Sequence, residues 1–123
     1  MSAMTFTDNW AADWNIVDGD DDLSRRLCSV FEAYLKSLQN KGCAKSTLNR
    51  HSSSCHALGG YIVDRVFNHQ MDSYDSTESG EDILLRYLDG REGPLIFQDN
   101  ESWQREVDTT CRKLYKFINE NPV

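Results

Sequence analysis

Apolar side chains recur at three- and four-residue intervals along most of this 123-residue chain, and that spacing limits the possible folds more than any other property. An α-helix has about 3.6 residues per turn, so side chains at these intervals share one face and can form a core together. The first such stripe predicts a helix over 22–40, ended by Gly42, because glycine favours the position just after a helix. Its members are Leu23, Leu27, Val30, Phe31, Tyr34, Leu35 and Leu38.

A second stripe predicts a helix over 46–67, with Ser46 as a suitable N-cap residue. Gly59 and Gly60 interrupt this helix, and two glycines cost about 2 kcal/mol relative to two alanines. We expect a close contact to offset that cost, most simply another helix that crosses where only a bare backbone leaves room. The apolar members of the stripe are Leu48, Cys55, Leu58, Ile62 and Val66.

The rest of the chain predicts two more helices and the irregular segments between them. The helices span 80–88 and 100–119, with Asn100 as the cap of the last one. A polar loop is expected over 68–79, and the sequence around Pro94 predicts an extended segment over 93–97. The apolar stripe of the last helix consists of Trp103, Val107, Cys111, Leu114 and Ile118.

An acidic N-terminal arm, residues 1–21, precedes these helices and is expected to be extended. Residues 1–22 contain six aspartates and no lysine or arginine. Trp10 and Trp14 are too apolar for a free tail, so we expect both indoles to dock on the core. The predicted organisation is therefore an arm followed by one domain, 22–123, and the fold class is an all-α bundle of about four helices.

The composition predicts a soluble cytoplasmic protein without membrane association. No segment approaches the ~20 consecutive apolar residues that span a bilayer. The N-terminal sequence has neither the basic region nor the apolar region of a secretory signal. The four cysteines include no CxxC pair, so thiols rather than disulfides are expected.

Positive charge concentrates at one turn of this acidic protein, whose formal net charge is −7. We call this set the basic elbow, and its members are Lys41, Lys45, Thr47, Asn49 and Arg50. A helix N-terminus flanked by such side chains suits phosphate, because its N–H groups point outward and its dipole favours anions. The basic elbow is thus a candidate nucleic-acid or anion site. An ordinary solvated face has the same composition, however, and the net charge opposes long-range attraction of DNA.

The last helix adds a second set of cations, Arg105, Arg112, Lys113 and Lys116, and its spacing places Arg105, Arg112 and Lys116 on one side. If this helix packs beside the basic elbow, the two sets form one composite anion site that includes Arg112. Alternatively, the helix pairs with the acidic segment 72–92, where each exposed ion pair contributes little. The sequence leaves both arrangements open.

His51 and Cys55 lie four residues apart on the second helix, with His56 beside Cys55, and this spacing is half of a usable zinc site. The second half is missing and the apolar register places both near the core, which favours a buried structural histidine. A catalytic Cys55 would need an orienting acid and an oxyanion-binding loop, and neither is identifiable. We therefore predict no metal, no cofactor and no enzymatic activity.

The hairpin sequence FEAYLKSLQNKGCAKSTLNRH, residues 31–51, resembles the opening of the SAM-like core-binding domain of tyrosine recombinases, the phage integrases. In that family a hydrophobic helix, a short turn and a capped helix pack against target DNA. The resemblance implies a DNA-facing role for Lys41, Lys45, Thr47, Asn49 and Arg50. It implies no recombinase activity, because the chain has no Arg/His/Tyr constellation at plausible spacing.

A wider set of segments, TLNRH, LGGYI, GPLIF and DTTCRKLYKF, is similar to a family of small uncharacterised bacterial proteins. That resemblance covers most of the chain and implies no assigned activity. Two hypotheses of different classes follow. In the first, the protein is a non-enzymatic helical adaptor that binds a protein partner through its acidic surface and the arm residues Trp10 and Trp14. In the second, it is a degenerate DNA-binding module related to integrase core-binding domains and uses the basic elbow.

Overall fold

The apolar stripes form helices close to the predicted bounds in a computed structural model of the protein, which describes residues 6–7, 10–14, 22–67, 79–88 and 93–120. Within these ranges lie α1 (Trp10–Asp13), α2 (Asp22–Asn40), α3 (Lys45–Phe67), α4 (Gly80–Leu85) and α5 (Glu101–Glu120). None of the described residues belongs to a strand, and the predicted all-α fold class is confirmed. The predicted polar loop lies outside the described residues, apart from Ser79.

The core is built around α2, which packs against α1, α3 and α4, while α5 packs against α3. Leu23, Leu27, Phe31 and Leu35 of α2 are completely buried. Burial of one such side chain contributes about 1.5–3 kcal/mol, so the α2 stripe is a major source of stability. Within the described ranges, no helix combines the length and the apolar character needed to cross a bilayer.

The turn between α2 and α3 is a Schellman motif centred on Gly42. The Cys43 N–H donates to the Leu38 carbonyl oxygen at 3.2 Å, and the Gly42 N–H donates to that of Gln39 at 3.0 Å. Gly42 has a φ of 84°, in the left-handed region that glycine adopts without strain. The predicted end of the first long helix is therefore confirmed.

Two helix ends differ from the predictions. α3 begins at Lys45, and the Leu48 N–H donates to the Ala44 carbonyl oxygen at 2.9 Å, so Ala44 rather than Ser46 occupies the cap position. The compact turn at Gly42 lets the helix begin one residue earlier than predicted, even though serine is a better cap residue than alanine. α4 ends at Leu85 because the N–H groups of Arg86 and Tyr87 bond three residues back, a tighter turn than an α-helix has.

The N-terminal arm contains one turn of helix, α1, rather than only the extended chain that was predicted. The Trp14 N–H donates to the Trp10 carbonyl oxygen at 3.0 Å. Four residues of extended chain would separate the two indoles by about 13 Å, whereas the helical turn brings their ring centroids to 5.9 Å. Trp10 is only 7% exposed and Trp14 only 9%, and the predicted docking of both on the core is confirmed.

The Gly59-Gly60 pair is the seat of Trp14. The sequence predicted a close contact here but named another helix as the neighbour, whereas the main neighbour is an indole from the arm. A Cβ atom at Gly59 would overlap the six-membered ring of Trp14, and one at Gly60 would lie 3.1 Å from the Trp14 Cδ1 atom. The Trp14 Nε1–H donates to the His56 carbonyl oxygen at 3.1 Å, one turn earlier in α3. A side chain from the arm therefore occupies the space that the two glycines leave open.

A buried carboxylate on α2 also holds the arm. Glu32 Oε1 accepts hydrogen bonds from the Phe6 N–H at 2.9 Å, the Thr7 N–H at 3.1 Å and the Thr7 hydroxyl at 3.2 Å. The Lys36 ammonium lies 3.8 Å from the other carboxylate oxygen. Several donors on one carboxylate offset the cost of burying its charge.

The segment 93–97 is non-helical, as predicted, and Gln104 of α5 fixes its path. The Gln104 side-chain oxygen accepts hydrogen bonds from the N–H groups of Ile96 at 2.9 Å and Phe97 at 2.8 Å. Its amide nitrogen donates to the Pro94 carbonyl oxygen at 3.0 Å. One side chain thus satisfies three backbone groups that no neighbouring strand pairs with, and it places Phe97 against the first turn of α5.

Candidate functional site

The basic elbow lies at the surface, at the turn after α2 and along the start of α3. Lys41, Lys45, Asn49 and Arg50 are exposed, and Thr47 is half-buried. Because α5 packs against α3, cations from the last helix are brought beside part of this set. The structure has the predicted arrangement in which α5 lies next to the elbow helix, and pairing of its cations with the acidic segment 72–92 stays a prediction. Most of the acidic segment 72–92 lies outside the described residues.

A groove of about 510 Å³ separates the start of α3 from α5, and we call it the cationic groove. Arg50, Arg105 and Lys113 supply three positive charges to its walls, and Glu106 supplies one negative charge. Hydroxyl groups occupy much of the remaining lining. The complete lining is Thr47, Arg50, His51, Ser102, Arg105, Glu106, Thr109, Thr110 and Lys113.

Within the described residues, Arg50 is the one cation of the groove that forms an ion pair. The Arg50 Nε atom lies 3.7 Å from Glu106 Oε1, and with side chains 72% and 42% exposed this pair contributes little to stability. In the part of the chain that the structure describes, no carboxylate forms an ion pair with Arg105 or Lys113. The cationic groove therefore has a formal charge of +2 on a protein whose net charge is −7.

A second groove of about 430 Å³ adjoins the first, and we call it the aromatic groove. Trp103 is 55% exposed at its edge, and its ring meets that of Phe97 edge-on with centroids 5.3 Å apart. Arg50 and Glu106 line both grooves and form the wall between them. The complete lining is Asn49, Arg50, Ser53, Ser54, Phe97, Trp103, Glu106 and Val107.

The exposure of Trp103 corrects its assignment to the buried stripe of the last helix. Val107, Cys111, Leu114 and Ile118 are buried as that stripe requires. The first turn of α5 faces the 94–97 segment, and Phe97 contacts the indole in a T-shaped arrangement that leaves about half of Trp103 exposed. Helical periodicity identifies the helix face on which Trp103 lies, but it does not show whether another segment of the protein covers that face. Trp103 was therefore missed as a site candidate.

The structure divides the residues that were predicted to bind nucleic acid or an anion. Thr47 and Arg50 line the cationic groove, and Asn49 lines the aromatic groove. Lys41 and Lys45 are exposed but line neither groove. Arg112 also lies outside both linings, and its guanidinium donates to the Thr109 hydroxyl at 3.4 Å. A helix turns about 100° per residue, so Lys113 faces the groove while Arg112 points to one side.

The floor of the cationic groove is a buried polar pair. His51 Nδ1 lies 2.8 Å from the Thr110 hydroxyl oxygen, and both side chains are buried. Burial and the nearby Lys113 ammonium lower the pKa of His51 from its usual value of 6.5. A neutral imidazole adds no charge to the site, and its hydrogen bond fixes the contact between α3 and α5.

The other candidate chemical groups are placed in structural settings. Cys55 is buried, and burial raises the pKa of its thiol well above the usual value, which disfavours the nucleophilic thiolate. His56 lies 3.2 Å from Asp13 and packs edge-on against Trp10. In the described ranges, no group of three His, Cys, Asp or Glu side chains is arranged to hold a metal ion.

Trp10 and Trp14 were predicted to contact a partner, and their indoles are buried against α2 and α3. In the docked arm they offer almost no surface to another molecule. A partner that used them would have to displace the arm from the Gly59-Gly60 seat and from Glu32. The exposed indole of the described residues is that of Trp103.

Comparison with known proteins leaves the ligand of these grooves to be inferred from their chemistry. No protein-family model matches the chain, and no curated protein or solved structure is significantly similar to it. The resemblance to integrase core-binding domains and to small bacterial proteins stays a prediction. What the chain itself presents is a pair of adjoining grooves, one cationic and one aromatic, between α3 and α5.

Proposed function

We propose that this protein is a non-enzymatic helical adaptor that binds a protein partner through the face between α3 and α5. The observation that carries the proposal is the half-exposed indole of Trp103. It packs against Phe97 and lines the aromatic groove together with Arg50. Tryptophan and arginine are among the residues enriched at the energetic centres of protein interfaces. An exposed indole next to an apolar concavity is therefore a natural anchor point.

The two grooves together suit a peptide segment with two kinds of side chain. An apolar side chain would enter the aromatic groove and pack on Trp103, Phe97 and Val107. A neighbouring anionic side chain would reach Arg105 and Lys113 in the cationic groove. Leu95 is also largely exposed on the segment that carries Phe97, which extends the apolar surface. Apolar burial supplies affinity to such an interface, and the charges supply orientation and specificity.

This version of the adaptor differs from the predicted one in its contact residues. Trp10 and Trp14 stabilise the fold, and Trp103 is the tryptophan that contacts the partner. We place the adaptor in the cytoplasm, where its thiols would stay reduced. The cysteines Cys28, Cys43, Cys55 and Cys111 are all free.

Selection from a random-peptide library against the intact protein tests the proposal. We expect the selected peptides to combine acidic and apolar residues. Their affinity, measured by fluorescence anisotropy, should fall about tenfold or more in Trp103→Ala, the loss typical of a central interface tryptophan. Because Trp103 is exposed, this variant should keep its fold.

Lys116→Ala is the matched control, since Lys116 is exposed on the same helix, pairs with Glu120 and lines neither groove. The control should bind as the wild type does. Failure to select any peptide, or selected peptides that bind Trp103→Ala equally well, would contradict the proposal.

The alternative function is a degenerate DNA-binding module that uses the basic elbow. It is favoured by the exposure of Lys45, Asn49 and Arg50 and by the adjacent cations of α5. Fluorescence anisotropy with a random DNA duplex at low salt tests it. Binding should weaken steeply as salt rises, because each phosphate contact releases counterions. It should also be lost in the double variant Lys45→Glu/Arg50→Glu and kept in Lys116→Glu. No binding at low salt would remove this alternative.

A further inference from the structure

We infer that the cationic groove binds a phosphorylated side chain of the protein partner, with an adjacent apolar residue of the same segment in the aromatic groove. The inference rests on the proposed function and names the chemical class of the partner. It comes from the convergence of Arg50, Arg105 and Lys113 on one concave surface, which neither helix provides alone.

The charge of the groove matches a phosphate better than a carboxylate. Three cations and Glu106 leave a formal charge of +2, and a phosphoryl group at neutral pH carries about −1.5 to −2. A single aspartate or glutamate would leave one positive charge uncompensated. Because Arg105 and Lys113 have no acidic partner within the described residues, a bound phosphate would supply one without breaking an existing ion pair.

The polar lining also supplies the donors that a phosphate requires. A phosphoryl group presents three strong acceptor oxygens. Thr47 and Ser102 line the groove, and neither hydroxyl forms a hydrogen bond within the described part of the chain. Hydroxyl, guanidinium and ammonium groups on two sides of one concavity can each donate to a different oxygen. Charge-assisted hydrogen bonds of this kind are roughly twice as strong as neutral ones.

The wall between the two grooves sets the register of the peptide. Arg50 and Glu106 line both concavities, so a phosphorylated residue beside Arg50 has the aromatic groove immediately next to it. Glu106 Oε1 lies 3.7 Å from the Arg50 Nε atom, so a negative charge borders the phosphate position on that side. We expect the preferred ligand to carry one phosphate with an aromatic or branched apolar residue close by. Additional acidic residues on the Glu106 side would be disfavoured.

The test uses degenerate peptide libraries that contain phosphoserine, phosphothreonine or phosphotyrosine at one fixed position, each with its unphosphorylated twin. Affinities of the best sequences are measured by fluorescence anisotropy on the intact protein. The phosphorylated peptide should bind about tenfold or more tightly than its twin, the effect of one charge-assisted hydrogen bond. Arg105→Ala and Lys113→Ala should each remove most of that preference, so that the ratio of the two affinities falls toward one.

Arg112→Ala is the matched control, because it removes the same charge from the same helix at a position outside both grooves. It should keep the phosphate preference. Circular dichroism establishes that the exposed variants are folded before affinities are compared.

The possible results separate this inference from the function on which it rests. Equal affinity for a peptide and its phosphorylated form, with no effect of Arg105→Ala or Lys113→Ala, overturns the phosphate inference while peptide binding still supports the adaptor. Absence of any peptide binding overturns both. Tighter binding to a random DNA duplex than to every phosphopeptide, lost in the same two variants, overturns it in favour of nucleic acid. Phosphopeptide binding that Trp103→Ala also weakens supports both.

Discussion

Tyr34 carries a buried hydroxyl with no hydrogen-bond partner in the described structure. Its ring packs edge-on against His51, with centroids 6.0 Å apart, and against Phe117 at 5.5 Å. Burial raises the pKa of the phenol, so the group stays neutral. An unpaired buried hydroxyl costs stability because it has lost its hydrogen bond to water and gained none in the protein.

Tyr34→Phe should therefore raise the free energy of unfolding by about 1 kcal/mol, since it keeps the ring and removes the unpaired oxygen. Urea denaturation at neutral pH measures the change. Tyr115→Phe, at a half-buried position on α5, is the control and should change stability by less than the core variant does. A loss of stability in Tyr34→Phe would show that the hydroxyl is hydrogen-bonded in solution.

His51 makes stability depend on pH in a direction that its surroundings determine. Burial and the Lys113 ammonium lower its pKa in the folded state below the usual 6.5. Between the two pKa values the unfolded chain binds more protons than the folded one, so stability rises with pH. The contribution of neutral His51 is complete above pH 6.5 and is lost as the pH falls toward the folded-state pKa.

Urea denaturation across this acidic range should show a steeper loss of stability for the wild type than for His51→Gln, which cannot take up the proton. Lys113→Ala should also reduce the slope, because it removes one of the two causes of the lowered pKa. An identical slope in the wild type and in His51→Gln would contradict this account. The apolar register predicted that His51 is buried, but its partner Thr110, 59 residues away, depends on how α3 meets α5.

At the scale of elements, the contact between the arm and α3 explains why α3 contains two adjacent glycines and why the arm contains a tryptophan opposite them. Gly59 and Gly60 lower helix propensity, and the seat that they form admits the indole of Trp14 and an edge of Phe31. Sequence reasoning identified the unusual glycine pair and expected a close contact there. It named a helix as the neighbour because the pattern of α3 alone does not show that a tryptophan from the arm lies against it.

Gly59→Ala should lower the free energy of unfolding, even though alanine is favoured over glycine in a helix by about 1 kcal/mol. The new methyl group would overlap Trp14, and the arm would have to move. In a Trp14→Ala background the space vacated by the indole lets Phe31, whose Cε2 atom would lie 3.0 Å from the new Cβ, move aside. The same substitution should then become stabilising by up to about 1 kcal/mol, because mainly the propensity difference remains. Urea denaturation of the four proteins of this double-mutant cycle measures both signs. A destabilising effect of equal size in both backgrounds would show that Trp14 does not occupy the seat.

Local sequence signals predict the bounds of most helices in this fold. The features that they miss depend on contacts between distant segments or on helices too short to show a period. The bounds of α2 agree with its apolar stripe and Gly42, and Asn100 caps α5 through the Trp103 N–H at 3.0 Å. α1 was missed because one helical turn is too short to show a period. Trp103 was assigned to the core because its spacing fits the stripe, although the 94–97 segment leaves most of the indole uncovered.

At the scale of the whole molecule, the cationic groove is a local exception in an acidic protein. The sequence predicted cations on α3 and on α5, and it predicted one composite site if the two helices packed together. It selected Arg112, whereas Arg105 and Lys113 face the groove. The rotation of α5 about its axis decides this choice, and that rotation is set by the burial of Val107, Thr110, Cys111 and Leu114 against the core.

This charge distribution predicts an unusual dependence of the association rate constant on ionic strength. A phosphopeptide that approaches a protein of net charge −7 is repelled at long range and attracted only near the groove. Raising the ionic strength from about 0.01 M to about 0.1 M shortens the screening length from about 30 Å to about 10 Å. The long-range repulsion is then largely screened, while contacts of a few ångströms inside the groove are screened less.

The association rate constant should therefore rise over this range, which is opposite to the behaviour of proteins that steer anionic ligands with a basic surface. Stopped-flow fluorescence of a labelled peptide measures it. Lys116→Glu makes the net charge more negative by two units outside the groove, so it should slow association most at low salt. A rate constant that falls steadily as salt is added would mean that Arg50, Arg105 and Lys113 control the approach of the ligand from long range.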